Sequence, residues 1–216
     1  MTMSMKGITI CAAVGVLLTI AGAQVAAKRI IPGKQLGKLN VGDLMEDMNW
    51  LKKADYGDAA MGKQWQTWEA KKPDPRNGKI INSLDVFSSL NEGGKYQIRV
   101  IRSTSPTFLL KQTIRVGTPL NVIQKSYPKL TKVADYQSPQ FTSKVALYDE
   151  DKDGVAFEFK ENSDGSVSKN EKCLSIWVYE PSSELMHLGS PTEYLLAKPG
   201  VKAATKQNKP LKKSEG

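Results

Sequence analysis

Leu39-Asn40-Val41-Gly42-Asp43 reappears downstream as Ile114-Arg115-Val116-Gly117-Thr118, and the reading of this pair decides the fold. Each copy is an apolar alternation, then a glycine, then a residue whose side-chain oxygen can cap a helix. Asp43 with Glu46 has the spacing of a capping box, and Thr118 precedes Pro119, a residue favoured at the first helical position. A helix is therefore expected after each copy. Leu44, Met48 and Leu51 would share one face of the first, and Leu120, Ile123 and Tyr127 one face of the second.

The match runs on. Ala54-Asp55-Tyr56 recurs as Ala134-Asp135-Tyr136, and Trp65 to Trp68 aligns with Val145 to Tyr148. Turn-rich loops at 71–78 and 150–154 lead into strand patterns at 80–88 and 155–160, and 96–102 and 174–179 close the two copies. The expected class is α+β: two tandem repeats of helix plus antiparallel sheet, residues 36–108 and 109–188, after an apolar N-terminal helix. Residues 28–35 would link them to that segment, and 189–216 would form a basic, flexible tail.

The order of glycine-capped helix, aromatic strand, hairpin and closing strand, used twice over about 36–180, resembles the tandem-repeat β-lactamase inhibitory proteins and their single-unit relatives, the small outer-membrane assembly lipoproteins. That resemblance implies a non-enzymatic protein that binds another protein on the concave face of its sheet. The chain lacks the inhibitors' disulfides, so fold and binding mode carry over and β-lactamase as the partner does not.

Residues 7–27 are uncharged and almost wholly apolar, follow Lys6, and end in small residues suited to cleavage. They read as a signal peptide, or if uncut as a membrane anchor of sufficient length. Lys28 and Arg29 run against the positive-inside preference for an uncut anchor. Cys11 lies inside this segment, which leaves Cys173 without an intramolecular disulfide partner in the folded part. The expected location is a bacterial periplasm or the extracellular side, with the inner membrane as the place of an anchor.

Much of the net charge of +9 lies in Lys198, Lys202, Lys206, Lys209, Lys212 and Lys213. Such an aperiodic stretch reads as solvated, with an anionic lipid surface or an acidic protein as the alternative contact. Nucleic acid is not expected, because export removes it and the lysines lack interleaved aromatics. The catalytic inventory is thin. His187 is the single histidine and has no motif around it, and no P-loop, nucleophile elbow or dinucleotide fingerprint occurs. Asp149 to Gly154 mimics the start of a calcium loop, but Lys160 stands where the bidentate glutamate belongs, so a hairpin turn is the better reading. No cofactor and no metal are expected.

Strand alternation divides the side chains into two faces. Trp65, Leu84, Val86, Ile98, Val100, Val145, Leu147, Val155, Phe157, Phe159, Leu174, Ile176 and Val178 are expected in the core. Trp68, Phe87, Tyr148, Trp177 and Tyr179, with Arg99, Gln66, Glu158 and Lys160, fall on the other face, where five aromatics would make a partner-binding patch. The functional expectation is a non-enzymatic extracytoplasmic binding or structural subunit, membrane-anchored or within a membrane protein complex. The alternatives are an envelope- or lipid-binding module that uses the tail, and a hydrolase with an unrecognised carboxylate site.

Overall fold

The structure is a computed structural model and describes residues 28–138 and 140–183. Two stretches lie outside the described residues: the apolar segment 1–27 and everything from 184 on, including His187 and the basic tail.

The chain is mostly β, which corrects the α+β expectation. Twelve strands form two sheets, and α1 (Leu120–Ser126) is the single α-helix among the described residues. The larger sheet is antiparallel. Its first meander is β4 (Tyr56–Ala60), β5 (Lys63–Glu69), β6 (Ser83–Leu90) and β7 (Tyr96–Ser103). Its second is β9 (Thr131–Ser138), β10 (Ser143–Glu150), β11 (Val155–Lys160) and β12 (Cys173–Tyr179). The two last strands meet, giving the order β4-β5-β6-β7-β12-β11-β10-β9. A small sheet, β3-β2-β1-β8, is built from β1 (Arg29–Ile31), β2 (Gln35–Leu36), β3 (Leu39–Asn40) and β8 (Leu109–Leu110). Residues 28–35, read as a linker, thus carry β1 and the start of β2.

The first expected helix is replaced by a single 3-10 turn, Met45–Asp47. The cause is visible in the capping residue. Asp43 turns its carboxylate back onto Asn40, accepting from its amide at 3.2 Å and its side chain at 2.9 Å. Glu46, the other half of the capping box, pairs with Lys95 instead. The motif is held against the last strand of its own meander, with Gly42 N–H donating to Ile98 O and Ile98 N–H to Asp43 O, both at 2.8 Å. The second copy does the same. Thr118 Oγ1 accepts from Arg115 N–H at 3.0 Å, Gly117 N–H donates to Cys173 O at 2.7 Å, and Cys173 N–H to Thr118 O at 2.9 Å. Gly42 and Gly117 take φ values of 94° and 90°, a region that an L side chain rarely adopts. The helix that does form is short because Pro128 follows Tyr127 and excludes a helical conformation there. Its expected face holds, since Leu120, Ile123 and Tyr127 are all buried.

Side chains fill both faces of the large sheet. On the first face Val86, Ile98, Ile101, Val155, Phe157, Phe159, Ile176 and Val178 pack against α1 and the small sheet through Ile30, Leu36, Leu39, Leu110, Ile114 and Ile123. Burying a side chain of this size contributes about 1.5–3 kcal/mol. The second face holds Trp65, Phe87, Val100, Tyr136, Val145, Leu147, Ala156, Trp177 and Tyr179.

The expected faces are therefore right for most of β6, β11 and β12 and inverted for β5 and β10. Trp65 pairs with Phe87 and shares its face, whereas Trp68 pairs with Leu84 on the other. Bulges account for the remaining exceptions. A register shift between Phe87 and Ser88, opposite Arg99, puts Ile98 and Val100 on opposite faces. The shift at Glu158/Phe159 likewise moves Leu174 to the second face, and the one at Leu147/Tyr148 leaves Val133 of β9 without an opposite residue. One extra residue in a strand inverts the parity of everything beyond it.

A polar cleft joined to a buried arginine

In the register of β6 and β7, Asp85 stands opposite Arg102, and in that of β7 and β12 Arg102 stands opposite Trp177. Glu158 of β11 pairs with Ser175 of β12. The curl of strand on strand thus collects one cation and two carboxylates on the second face, and the side chains of all three are 0% exposed.

Arg102 Nη1 donates to Asp85 Oδ2 at 2.5 Å and to Gln140 Oε1 at 3.1 Å. Its Nη2 and Nε both reach Glu158 Oε2, at 2.7 and 3.2 Å. The guanidinium carbon lies 5.7 Å from the Phe141 ring and 5.6 Å from the Trp177 ring, within cation–π range. The other lone pairs of the carboxylates are occupied too. Thr67 Oγ1 and Ser83 Oγ donate to Asp85 at 2.8 and 3.0 Å, and Ser175 Oγ and the Tyr136 hydroxyl donate to Glu158. Burial disfavours the arginine's charge, but Glu158 and Asp85 outweigh it and hold its pKa above the usual value. Two carboxylates meeting is the arrangement a carboxylate hydrolase needs, yet these two are enclosed and tied to one guanidinium.

Ser83 leads outward. Its hydroxyl also accepts from Gln140 Nε2 at 3.2 Å, and the residue lines an open cleft of about 530 Å³ at the ends of β5, β6 and β7. Trp68, Leu84 and Phe108 give the cleft an apolar wall, while Asn82, Ser103, Ser105, Thr107, Lys72, Glu69 and Asp74 supply polar groups. Asn77 Nδ2 bridges Asn82 Oδ1 and Thr104 O at 2.6 and 2.9 Å, fixing the asparagine. Asp74 is occupied by Arg76, whose hydrogen bonds hold its carboxyl down at about 2. Arg76 also reaches Thr107 Oγ1 at 3.1 Å.

No protein-family model and no curated protein matches the chain. Among solved structures it is similar to the crystal structure of the uncharacterized protein yfeY from Escherichia coli, at 14% identity and a TM-score of 0.44, over 69% of this chain and 99% of that one.

The five aromatics expected to form one patch are divided. Phe87, Trp177 and Tyr179 do share a face, but at 1%, 3% and 0% exposure they are interior residues of the second core. Trp65 lies 6.2 Å from Phe87 and 6.4 Å from Trp177 by ring centroids, and Tyr179 donates its hydroxyl to Asp149. Tyr148 sits edge-on to Phe159 against the first core. Arg99 is half-buried and donates to Ser89 Oγ at 3.0 Å, at the far end of β7 from the cleft. Trp68 alone lines the cleft, half-buried, with Nε1 donating to Lys52 O at 2.7 Å. Arg102, Asp85 and Asn82 were not among the expected site residues, and Glu158 was expected in the open. The signal that marks the first two is a charge inside an apolar run, Leu84-Asp85-Val86 and Val100-Ile101-Arg102, on adjoining strands.

Cys173 is buried, with Sγ 3.1 Å from Ser175 O, and burial followed by the Glu158 charge pushes its thiol well above the usual range. In the native protein it should stay unmodified by iodoacetamide, as read by peptide mass mapping, and become reactive in urea. Rapid native labelling would mean that the Gly117–Thr118 segment separates from the start of β12.

Proposed function

We propose that the protein is a non-enzymatic binding subunit that works outside the cytoplasm and holds a partner protein at the Trp68 cleft. The observation that carries this reading is a division of labour among the polar groups. The charged side chains with the geometry for chemistry, Arg102, Asp85 and Glu158, are sealed and saturated inside the sheet. The accessible concavity instead sets an aromatic wall beside hydroxyl, amide and ammonium groups, the mixture found in recognition sites. The apolar segment 7–27, read as an export signal, fits the same class of activity.

A photo-crosslinking amino acid at Lys72, an exposed position on the cleft rim, tests the reading in cells that make the protein natively. A discrete crosslinked protein is expected from position 72, and Trp68→Ala should abolish it. The control places the same group at Lys63, the first residue of β5, at its opposite end. Because Trp68 also packs on the first core, its variant is compared at matched folded fraction. No crosslink at 72, or the same product from both positions, sinks the proposal.

A further inference from the structure

Charge is unevenly placed on the folded part. Of the chain's 31 Lys and Arg and 22 Asp and Glu, seven and three fall outside residues 28–183, which leaves twenty-four against nineteen. The whole surplus of five lies around the mouth of the cleft. Lys28 and Arg29 stand at the start of β1, Lys52 and Lys53 precede β4, and Lys71, Lys72, Arg76 and Lys79 occupy the loop from β5 to β6. Against these eight cations the same region carries three carboxylates, Asp55, Glu69 and Asp74, and the remaining sixteen of each sign balance. Contacts hold the three segments together. Trp68 Nε1 donates to Lys52 O at 2.7 Å, Arg76 Nη2 to Thr107 Oγ1 at 3.1 Å, and Leu109 N–H to Lys28 O at 2.9 Å, while Lys72, Trp68, Thr107 and Phe108 line one cleft. Arg76 is paired with Asp74. The other seven cations are exposed and in no ion pair among the described residues.

Like charges gathered without partners repel one another, and a negatively charged surface turns that repulsion into attraction. Each Lys or Arg close to an anionic bilayer tightens binding about fivefold. What selects a bilayer over another acidic surface is the order of the chain. The apolar segment 7–27 ends immediately before Lys28, and Lys28 is held in this face through Leu109. A membrane that holds the segment, before cleavage or as an anchor, therefore begins where the basic face begins. Lys28 and Arg29, out of place beside an uncut anchor by the positive-inside preference, belong with the other five unpaired cations. We propose that this basic face rests on an anionic bilayer, with Arg29 and the lysines at the level of the lipid phosphates. The inference goes beyond the protein-binding reading and does not depend on what fills the cleft. A partner held in the cleft is then one met at the membrane surface.

The test uses the full chain with Cys11→Ser, Cys173 being buried, and a polarity-sensitive fluorophore on Lys71→Cys. Vesicles of equal parts phosphatidylcholine and phosphatidylglycerol should shift its emission to the blue. Pure phosphatidylcholine, which offers the apolar segment the same interior, should not. The same fluorophore on Lys63→Cys, at the far end of β5, should stay unchanged. Lys52→Glu combined with Lys53→Glu and Lys72→Glu should abolish the shift, as should salt of about 1 M, where the screening length falls to about 3 Å. Lys34→Glu with Lys63→Glu and Lys152→Glu reverses the same charge at exposed positions away from the face and should leave the shift in place. So should replacing the six tail lysines with glutamine. Loss of the shift in that tail variant, equal shifts from the two probe positions, or a shift on neutral vesicles would overturn the inference. A response to soluble polyglutamate without one to anionic vesicles would assign the face to an acidic protein and overturn it as well.

Discussion

Arg102→Met is expected to destabilise the protein by about 3–5 kcal/mol, because it strands two carboxylates in an interior that water does not reach. Asp85 and Glu158 would keep their serine, threonine and tyrosine donors but lose the only cation in the cluster among the described residues. An ion cluster of this kind is a poor source of net stability while intact, since desolvation offsets most of the Coulomb gain. The asymmetry can be measured. Combining Arg102→Met with Asp85→Leu and Glu158→Leu should give a protein more stable than the single variant, although Thr67, Ser83, Tyr136, Ser175 and Gln140 each lose a hydrogen-bond partner. Urea unfolding followed by tryptophan fluorescence reads both, with Trp177 and Trp65 close to the site. A single variant that costs under about 1 kcal/mol would mean that water reaches the carboxylates.

Gly154→Ala should be nearly as damaging for a different reason. Gly154 has a φ of 64°, and a Cβ there would sit 2.3 Å from Tyr179 O, 2.8 Å from Gly33 Cα and 3.0 Å from Pro181 N. All three neighbours are backbone atoms or held by backbone, so none can swing away. The turn between β10 and β11 is locked to β12 and to the β1–β2 turn, through Gly154 O accepting from Tyr179 and Gly33 N–H at 3.1 and 3.2 Å. Left-handed strain of about 1–2 kcal/mol adds to an overpacking cost of about 1–3 kcal/mol. Gly117→Ala is the control, because its φ of 90° carries the strain but nothing lies within 4 Å of the added carbon. A loss of about 3 kcal/mol or more against about 1–2 kcal/mol is expected in thermal or urea melts. Equal losses would show that the packing around Gly154 yields.

What could be read from the residues, and what could not, follows from the range of the forces involved. Strand positions were legible because alternation is local, and the burial of Leu120, Ile123 and Tyr127 because helical spacing is. The helix after Asp43 was not, because its rival is a partner far along the chain: Ile98 takes the backbone of Gly42 and Asp43 for the sheet. Face assignment failed in β5 and β10 because no residue in either strand encodes the register of its neighbours, and the bulges at Arg99 of β7 and Leu174 of β12 change parity without a glycine or proline to mark them. Trp68 was singled out, but for a face it does not occupy, since it packs toward the first core. Asn82 and Lys72 become neighbours only once the meander brings the end of β5 beside the start of β6.

The two glycine motifs bear finally on the order of folding. Gly42 to Ile98 and Gly117 to Cys173 are the same number of residues apart, so the two hydrogen bonds close loops of equal length. Loop-closure entropy depends on length and only weakly on composition, so the chain loses the same freedom in closing either half. Neither half therefore has a head start from connectivity. Which one forms first is decided by the side chains that closure buries.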